Sequence, residues 1–202
     1  MARKFAGGKL VVASHNKGKV KEINSLLKEY NATTLSSSDF DIKEPEENAD
    51  SFIGNAEIKS RYTAEYTQLP SLSDDSGLVV PALEGAPGIY SARWAGPEKD
   101  FALAMERVRQ ELLAKTGTDN GHRAYFVCAL SLCWPDGHEE HVEGRVDGTL
   151  VFPPRGKRGF GYDPIFVADG YTQTFAEIDP EEKHRVSHRA DAFAQLVAKC
   201  FA

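Results

Sequence analysis

An α/β fold built on one mixed sheet is what this 202-residue chain predicts, and three observations carry the prediction. An apolar run at residues 9–14 gives way, through a glycine-bearing loop, to apolar residues at helical spacing. A second stretch of helical spacing begins near residue 51, and between residues 123 and 152 the pattern changes to extended runs separated by turn dipeptides. Early strand and helix alternation followed by a hairpin array points to an α/β (α+β mixed) architecture, a central mixed β-sheet flanked by helices.

Taken in order, residues 9–14 (KLVVAS) read as the first strand. Past the loop at 15–18, Val20, Ile23, Leu26, Leu27 and Tyr30 follow the 3.6-residue period of a helix. A second helix takes Asp50 or Ser51 as N-cap and carries Phe52, Ala56, Ile58, Tyr62 and Tyr66, with Asn55 and Lys59 on its other face. Residues 69–73 form a short strand ending at Asp74 and Asp75 and a turn at Gly77, and 78–83 a further extended piece before the turn Gly85-Ala86-Pro87-Gly88. The third helix, residues 100–115, puts Phe101, Met105, Val108 and Leu112 on one side as core contacts. Residues 123–134 are a long strand, Pro135-Asp136-Gly137 a hairpin turn into 139–146, and Asp147-Gly148 a second turn into 149–152. A basic loop at 153–159 precedes a strand near 164–168, and a closing helix shares Phe193, Leu196, Val197 and Cys200 on one face. There is no internal repeat, low-complexity run or flexible linker, so residues 1–202 read as one folding unit.

Net charge of -6 and a pI near 5.5 argue against bulk binding of a nucleic acid polymer or an anionic membrane, both of which favour a basic face. A small anionic ligand stays compatible, provided positive charge is gathered locally. Cys128, Cys133 and Cys200 lack Cys-x-x-Cys spacing and are odd in number, which reads as buried reduced thiols in a cytoplasmic protein. The basic N-terminus leads into an apolar run too short for a signal sequence or a membrane span.

Ser73-Asp74-Asp75-Ser76-Gly77 is the stretch richest in chemical implication. Two neighbouring carboxylates are costly without a cation between them, so a divalent metal is the first candidate, against the plain reading of an acidic turn. Ser14-His15-Asn16-Lys17-Gly18-Lys19 sits between a strand and a helix, where free backbone N–H groups attract phosphate, although it lacks the Walker A pattern and reads equally as a solvated lysine loop. Glu44, Glu46 and Glu47 precede the second helix as ordinary helix-start acids, with Glu47 the candidate third carboxylate. Gly159-Phe160-Gly161-Tyr162-Asp163-Pro164 offers a ring between two glycines, suited to base stacking or to a turn with a core aromatic. Lys183, His184, Arg185, His188 and Arg189 concentrate positive charge and directed donors for a triphosphate and the keto edge of a base. No nucleophilic elbow is present.

These motifs together resemble the inosine triphosphate pyrophosphatases of the RdgB type. Ser14 to Lys19 is similar to the family's Thr/Ser-x-Asn-x-Gly-Lys opening, and residues 47–56 to its Glu-x-Gly-x-Ser-Phe-x-x-Asn-Ala block. Ser73 to Gly77, Gly85 to Arg93, Gly159 to Pro164, and Lys183 with Ser187-His188-Arg189 complete the series in order. The resemblance implies an elongated fold of two lobes around a nucleotide cleft, commonly a homodimer, that hydrolyses deaminated purine triphosphates (dITP, ITP, XTP) to monophosphate and pyrophosphate. It implies that Ser14, His15, Asn16, Lys17, Gly18 and Lys19 hold phosphate, and that Glu47, Asp74 and Asp75 hold Mg²⁺ with Asp75 as proton acceptor. Ser76, Phe160, Gly161, Tyr162, Asp163, Lys183, His188 and Arg189 would contact substrate, with Asn55 and Lys59. Ala49 stands where the family has glycine, which bears on the turn at Glu47, and His184 replaces a small or amidic residue. A Maf-like pyrophosphatase and a non-hydrolysing nucleotide-binding module are the alternatives.

Overall fold

The computed structural model describes residues 2–201 and contains a six-stranded mixed sheet flanked by helices. β1 (Gly8–Ala13) pairs in parallel with β2 (Ala32–Ser36) on one side and with β3 (Ser71–Val79) on the other. The order continues through β4 (Arg123–Cys133), β5 (Glu139–Leu150) and β6 (Phe166–Ala168), the last antiparallel to β5.

Helix boundaries follow local capping chemistry. α1 (Lys17–Leu27) begins at Asn16, whose side-chain oxygen accepts from the N–H groups of Gly18 and Lys19 at 3.0 and 3.2 Å. Ser51 caps α2 (Phe52–Thr67) through the Gly54 N–H. A four-residue turn, α3 (Ser91–Trp94), precedes α4 (Phe101–Thr116), which Asp100 caps and Gly117 ends in the left-handed conformation. α5 (Pro180–Val186) starts with proline in its first turn, and α6 (His188–Leu196) runs on into a π-helical turn, Val197–Phe201.

The chain divides into two compact units. The first takes residues up to Asp75, Cys128–Gly144 and those from Arg189 on; its core gathers Leu10, Val12, Ile23, Leu72, Leu130, Leu132 and Phe193. The second takes Ser76–Val127 and Arg145–His188, with a core of Leu78, Val108, Leu112, Phe126, Phe166 and Phe175. No described helix is long and apolar enough to cross a membrane.

Two expected turns are absent. β3 runs unbroken through Asp74, Asp75, Ser76 and Gly77, because tertiary partners take up the acids and no loop is needed to solvate them. The piece at 78–83 is then not a separate strand; Pro81–Leu83 is a 3₁₀ turn. β5 likewise passes straight through Asp147-Gly148, where a Cβ on Gly148 would stand 2.3 Å from the Val167 carbonyl oxygen and 2.6 Å from the Phe166 ring. This glycine serves close strand packing rather than chain reversal. β2 and α5 are elements the apolar pattern did not mark, although Thr33-Thr34 carries the β-branched signal of the first.

Candidate active site

Adjacent residues of a strand face opposite ways. That pleat separates Asp74 from Asp75, each fully or nearly buried and each with its own cations. Lysine and arginine already neutralise the two where the sequence argument called on a metal. Among the described residues no group of three or more His, Cys, Asp or Glu side chains is placed to hold a metal ion, so Glu47, Asp74 and Asp75 do not form a ready three-acid set.

Asp74 meets Lys19 from α1 through one carboxylate oxygen. Its other oxygen accepts from Arg189 Nε at 3.0 Å and from the Cys128 thiol at 2.9 Å. Arg189 also donates to the buried Glu22 of α1. Burial would raise the Asp74 pKa, but Arg189 and Lys19 overrule it and hold the group far below the ordinary carboxylate range. Burial pushes the Cys128 thiol well up, and the neighbouring Asp74 charge adds to it, so the thiol stays a donor.

Asp75 faces α2. Asn55 Nδ2 donates to it at 3.2 Å, and Asn55 Oδ1 in turn accepts from the Ala49 N–H at 3.1 Å. Lys59 Nζ lies 2.5 Å from Glu47 Oε1, 2.9 Å from the Asp74 carbonyl and 3.6 Å from Asp75 Oδ1. Asn55 and Lys59 share this duty because they stand four apart on one helix face. Burial raises the Asp75 pKa above its ordinary value; Lys59 and Lys19 oppose the rise, while Glu47 and Asp74 add to it. For Lys59 burial acts downward, and Asp75 with Glu47 reverses it to a net rise, so the ammonium stays charged. Of the paired acids Asp75 is therefore the stronger base. Glu47 and Asp75 flank one cationic position with hard oxygen donors, a set that fits Mg²⁺, which takes one or two carboxylates plus phosphate and water.

The loop expected to bind phosphate as a unit is divided. Asn16 spends its side chain on the helix cap, Ser14 is buried, and His15 Nε2 stands 3.0 Å from the Ile42 carbonyl. Lys19 turns to Asp74, and Lys17, about 200° away around the helix, points elsewhere.

In the second unit, Lys183 Nζ donates to Asp163 Oδ2 at 2.7 Å and lies 4.7 Å from the Phe160 ring centroid. The Phe160 N–H donates to the same oxygen at 2.8 Å. Gly159 is obligatory: its φ is +71° and a Cβ would stand 2.1 Å from that oxygen. Gly161 also has positive φ, and Ser76 continues β3 half-buried. His188 is buried and stacks on Phe126 with ring centroids 4.9 Å apart.

Two residues expected to contact substrate are engaged with protein groups. Tyr162 is a core residue whose hydroxyl donates to the Ser91 carbonyl at 2.9 Å. Arg189 is 1% exposed and committed to Asp74 and Glu22, because two buried carboxylates claim its fork. Glu22, the second acid of Arg189, and Cys128, a donor to Asp74, escape the sequence reading; the i, i+3 spacing of Lys19 and Glu22 is the one local signal.

Comparison with known proteins adds an independent finding. The model of the Ham1 family matches residues 10–199. A protein of Rhodospirillum centenum named dITP/XTP pyrophosphatase is 62% identical, covering 99% of this chain and 98% of its own length. Another so named, from Zymomonas mobilis, is 59% identical over 98% of this chain and 94% of its own. A Ham1 protein from Coxiella burnetii superposes with a TM-score of 0.86 at 38% identity, covering 94% of this chain and 96% of that one.

Proposed function

This chain belongs to the Ham1 family, and from that premise we propose that it hydrolyses deaminated purine nucleoside triphosphates, dITP, ITP and XTP, to the monophosphate and pyrophosphate. The observation that carries the reading is Asp75, a buried carboxylate of raised basicity oriented by Asn55 and Lys59. Such a group accepts the proton of an attacking water more readily than an ordinary aspartate. Lys19 supplies positive charge to the triphosphate, at the expense of its pairing with Asp74. Glu47 and Asp75 would hold Mg²⁺, which supplies charge neutralisation on phosphate oxygens. Asp74 serves as the anchor for Arg189 and Lys19.

Phe160 offers its ring to the base, and Lys183 and His188 supply donors for a 6-keto oxygen. An adenine amino group leaves those donors unmet, a penalty of about 1–3 kcal/mol. A cytoplasmic homodimer completes the proposal, and three free, buried cysteines suit a reducing compartment. The test is pyrophosphate release from dITP, XTP, dGTP, dATP and dTTP with and without Mg²⁺. Equal efficiency on dITP and dATP defeats the specificity, and saturable binding without pyrophosphate release defeats the enzyme.

A further inference from the structure

Strand β4 turns successive side chains to opposite faces. Tyr125 meets Arg145, whose guanidinium carbon lies 3.5 Å from its ring centroid, while Phe126 enters the core of the second unit. There Phe126 lies nearly parallel to two other rings. His188 is 4.9 Å away at an interplanar angle of 19°, and Phe175 is 6.1 Å away at 4°. Phe166, tilted 59° to Phe126 and 60° to Phe175, closes the cluster, and all four side chains are buried.

Lys183 joins the same cluster. Its ammonium lies 5.8 Å from the Phe175 centroid and 4.7 Å from that of Phe160, where the negative ring faces attract it. His188 thus stacks on Phe126 directly, and Lys183 packs on Phe175, which stacks on Phe126 in turn. The helices alone do not fix the two groups relative to each other: α5 ends at Ser187, whose backbone is extended with ψ 158°, and α6 starts afresh at His188. An imidazole turns in a broad, two-fold torsional well, so a flat surface against it selects its plane. That plane sets where the ring N–H points, and a hydrogen bond weakens steeply once misaligned.

We propose that Phe126 is a positioning residue that determines specificity. Through its stack with His188 and its support of Phe175 against Lys183, it fixes the direction of the donors that tell a 6-keto purine from a 6-amino purine. The inference rests on the reading of Lys183 and His188 as donors to the base; Phe126 is buried and acts through them.

IMP and AMP are the probes, because they differ at the 6-position edge and neither has a pyrophosphate bond to hydrolyse. Isothermal titration compares the wild type with Phe126→Leu and Phe166→Leu. The wild type prefers IMP; Phe126→Leu weakens IMP by about threefold to tenfold and leaves AMP within about twofold, so the preference shrinks. Phe166→Leu removes a ring from the same core but leaves the Phe126 ring against His188 in place. It lowers the melting temperature like its counterpart and keeps the IMP-to-AMP ratio within about twofold of wild type. In steady-state kinetics with dITP, Phe126→Leu raises KM and leaves kcat within about twofold, as lost uniform binding does. Phe126→Met repeats the comparison should leucine prevent folding. An unchanged ratio in Phe126→Leu, an equal fall in Phe166→Leu, or a wild type that does not distinguish IMP from AMP overturns the proposal. Absence of pyrophosphate release from dITP, with the IMP preference present and sensitive to Phe126, defeats the hydrolytic reading and upholds the role of Phe126.

Discussion

Arg189→Met separates a buried anchor from a substrate contact. The arginine is 1% exposed and its fork serves two carboxylates, Asp74 and Glu22, of which the Asp74 side chain is fully buried. Methionine fills much of the volume but takes the guanidinium away from Asp74, while Lys19 and the Cys128 thiol stay bonded to it. Breaking a buried pair from one side costs about 3–5 kcal/mol. In a chain of this size each kcal/mol moves the melting midpoint by about 2–4 °C, so the variant melts roughly 6–20 °C lower. Urea unfolding at pH 7 measures the loss, and Arg189→Lys recovers it only in part because an ammonium cannot fork to both acids. The pH dependence follows from Asp74, whose folded pKa lies far below its ordinary 3.8. Its contribution is fully present above that ordinary value and fades as pH falls through the depressed one. The gap between wild type and Arg189→Met is therefore widest near neutrality and narrows in acid. A variant within 1 kcal/mol of wild type at pH 7, with a raised KM for dITP, refutes the anchor and restores Arg189 to the substrate.

Further outcomes test the remaining residues. Asp75→Asn abolishes pyrophosphate release while nucleotide binding persists, since Asn55 and Lys59 keep an oxygen to bond; wild-type turnover removes Asp75 as the base. Gly159→Ala forces a Cβ onto Asp163 and loses about 1–3 kcal/mol of stability with a raised KM, read by thermal melting and steady-state kinetics. Tyr162→Phe costs about 0.5–1.5 kcal/mol for its bond to Ser91 and leaves KM unchanged, as a core residue must. Glu140, drawn down to about 2 despite burial by Lys199, the Arg3 N–H and His138, gives stability that is present above pH 4.5 and lost toward pH 2. Glu140→Gln should thus flatten the acid limb of an unfolding curve.

The first half of the fold was legible where local chemistry decides it. Asn16, Ser51 and Asp100 cap their helices by bonds that span two or three residues, and the 3.6-residue period marks the buried faces. β3 and β5 were broken too early because Asp-Asp-Ser-Gly and Asp-Gly have turn composition. Nothing within several residues announces that Arg189, 115 positions away, neutralises Asp74, or that Phe166 demands the bare backbone of Gly148. The same distance hid the site's internal division. The motif at Ser14 to Lys19 is contiguous in the chain, yet helical rotation sends Lys17 and Lys19 to different surroundings. Tyr162 sits in a motif of polar and glycine neighbours, and only packing shows that it belongs to the core.

The alternating pleat of β3 makes the chemistry a matter of parity. Ser73 fixes the count: it is opposite Ala13 in the parallel ladder and its hydroxyl donates to the Ala56 carbonyl at 2.5 Å. One residue inserted between Pro70 and Ser73 puts Ser73 at the Arg189 and Lys19 position and turns Asp74 toward α2, whereas two inserted residues return each acid to its own face but two positions further along the strand. Odd and even insertions at this point are thus different lesions: the odd one exchanges the faces of the acids, and the even one keeps the faces and slides the acids along the strand.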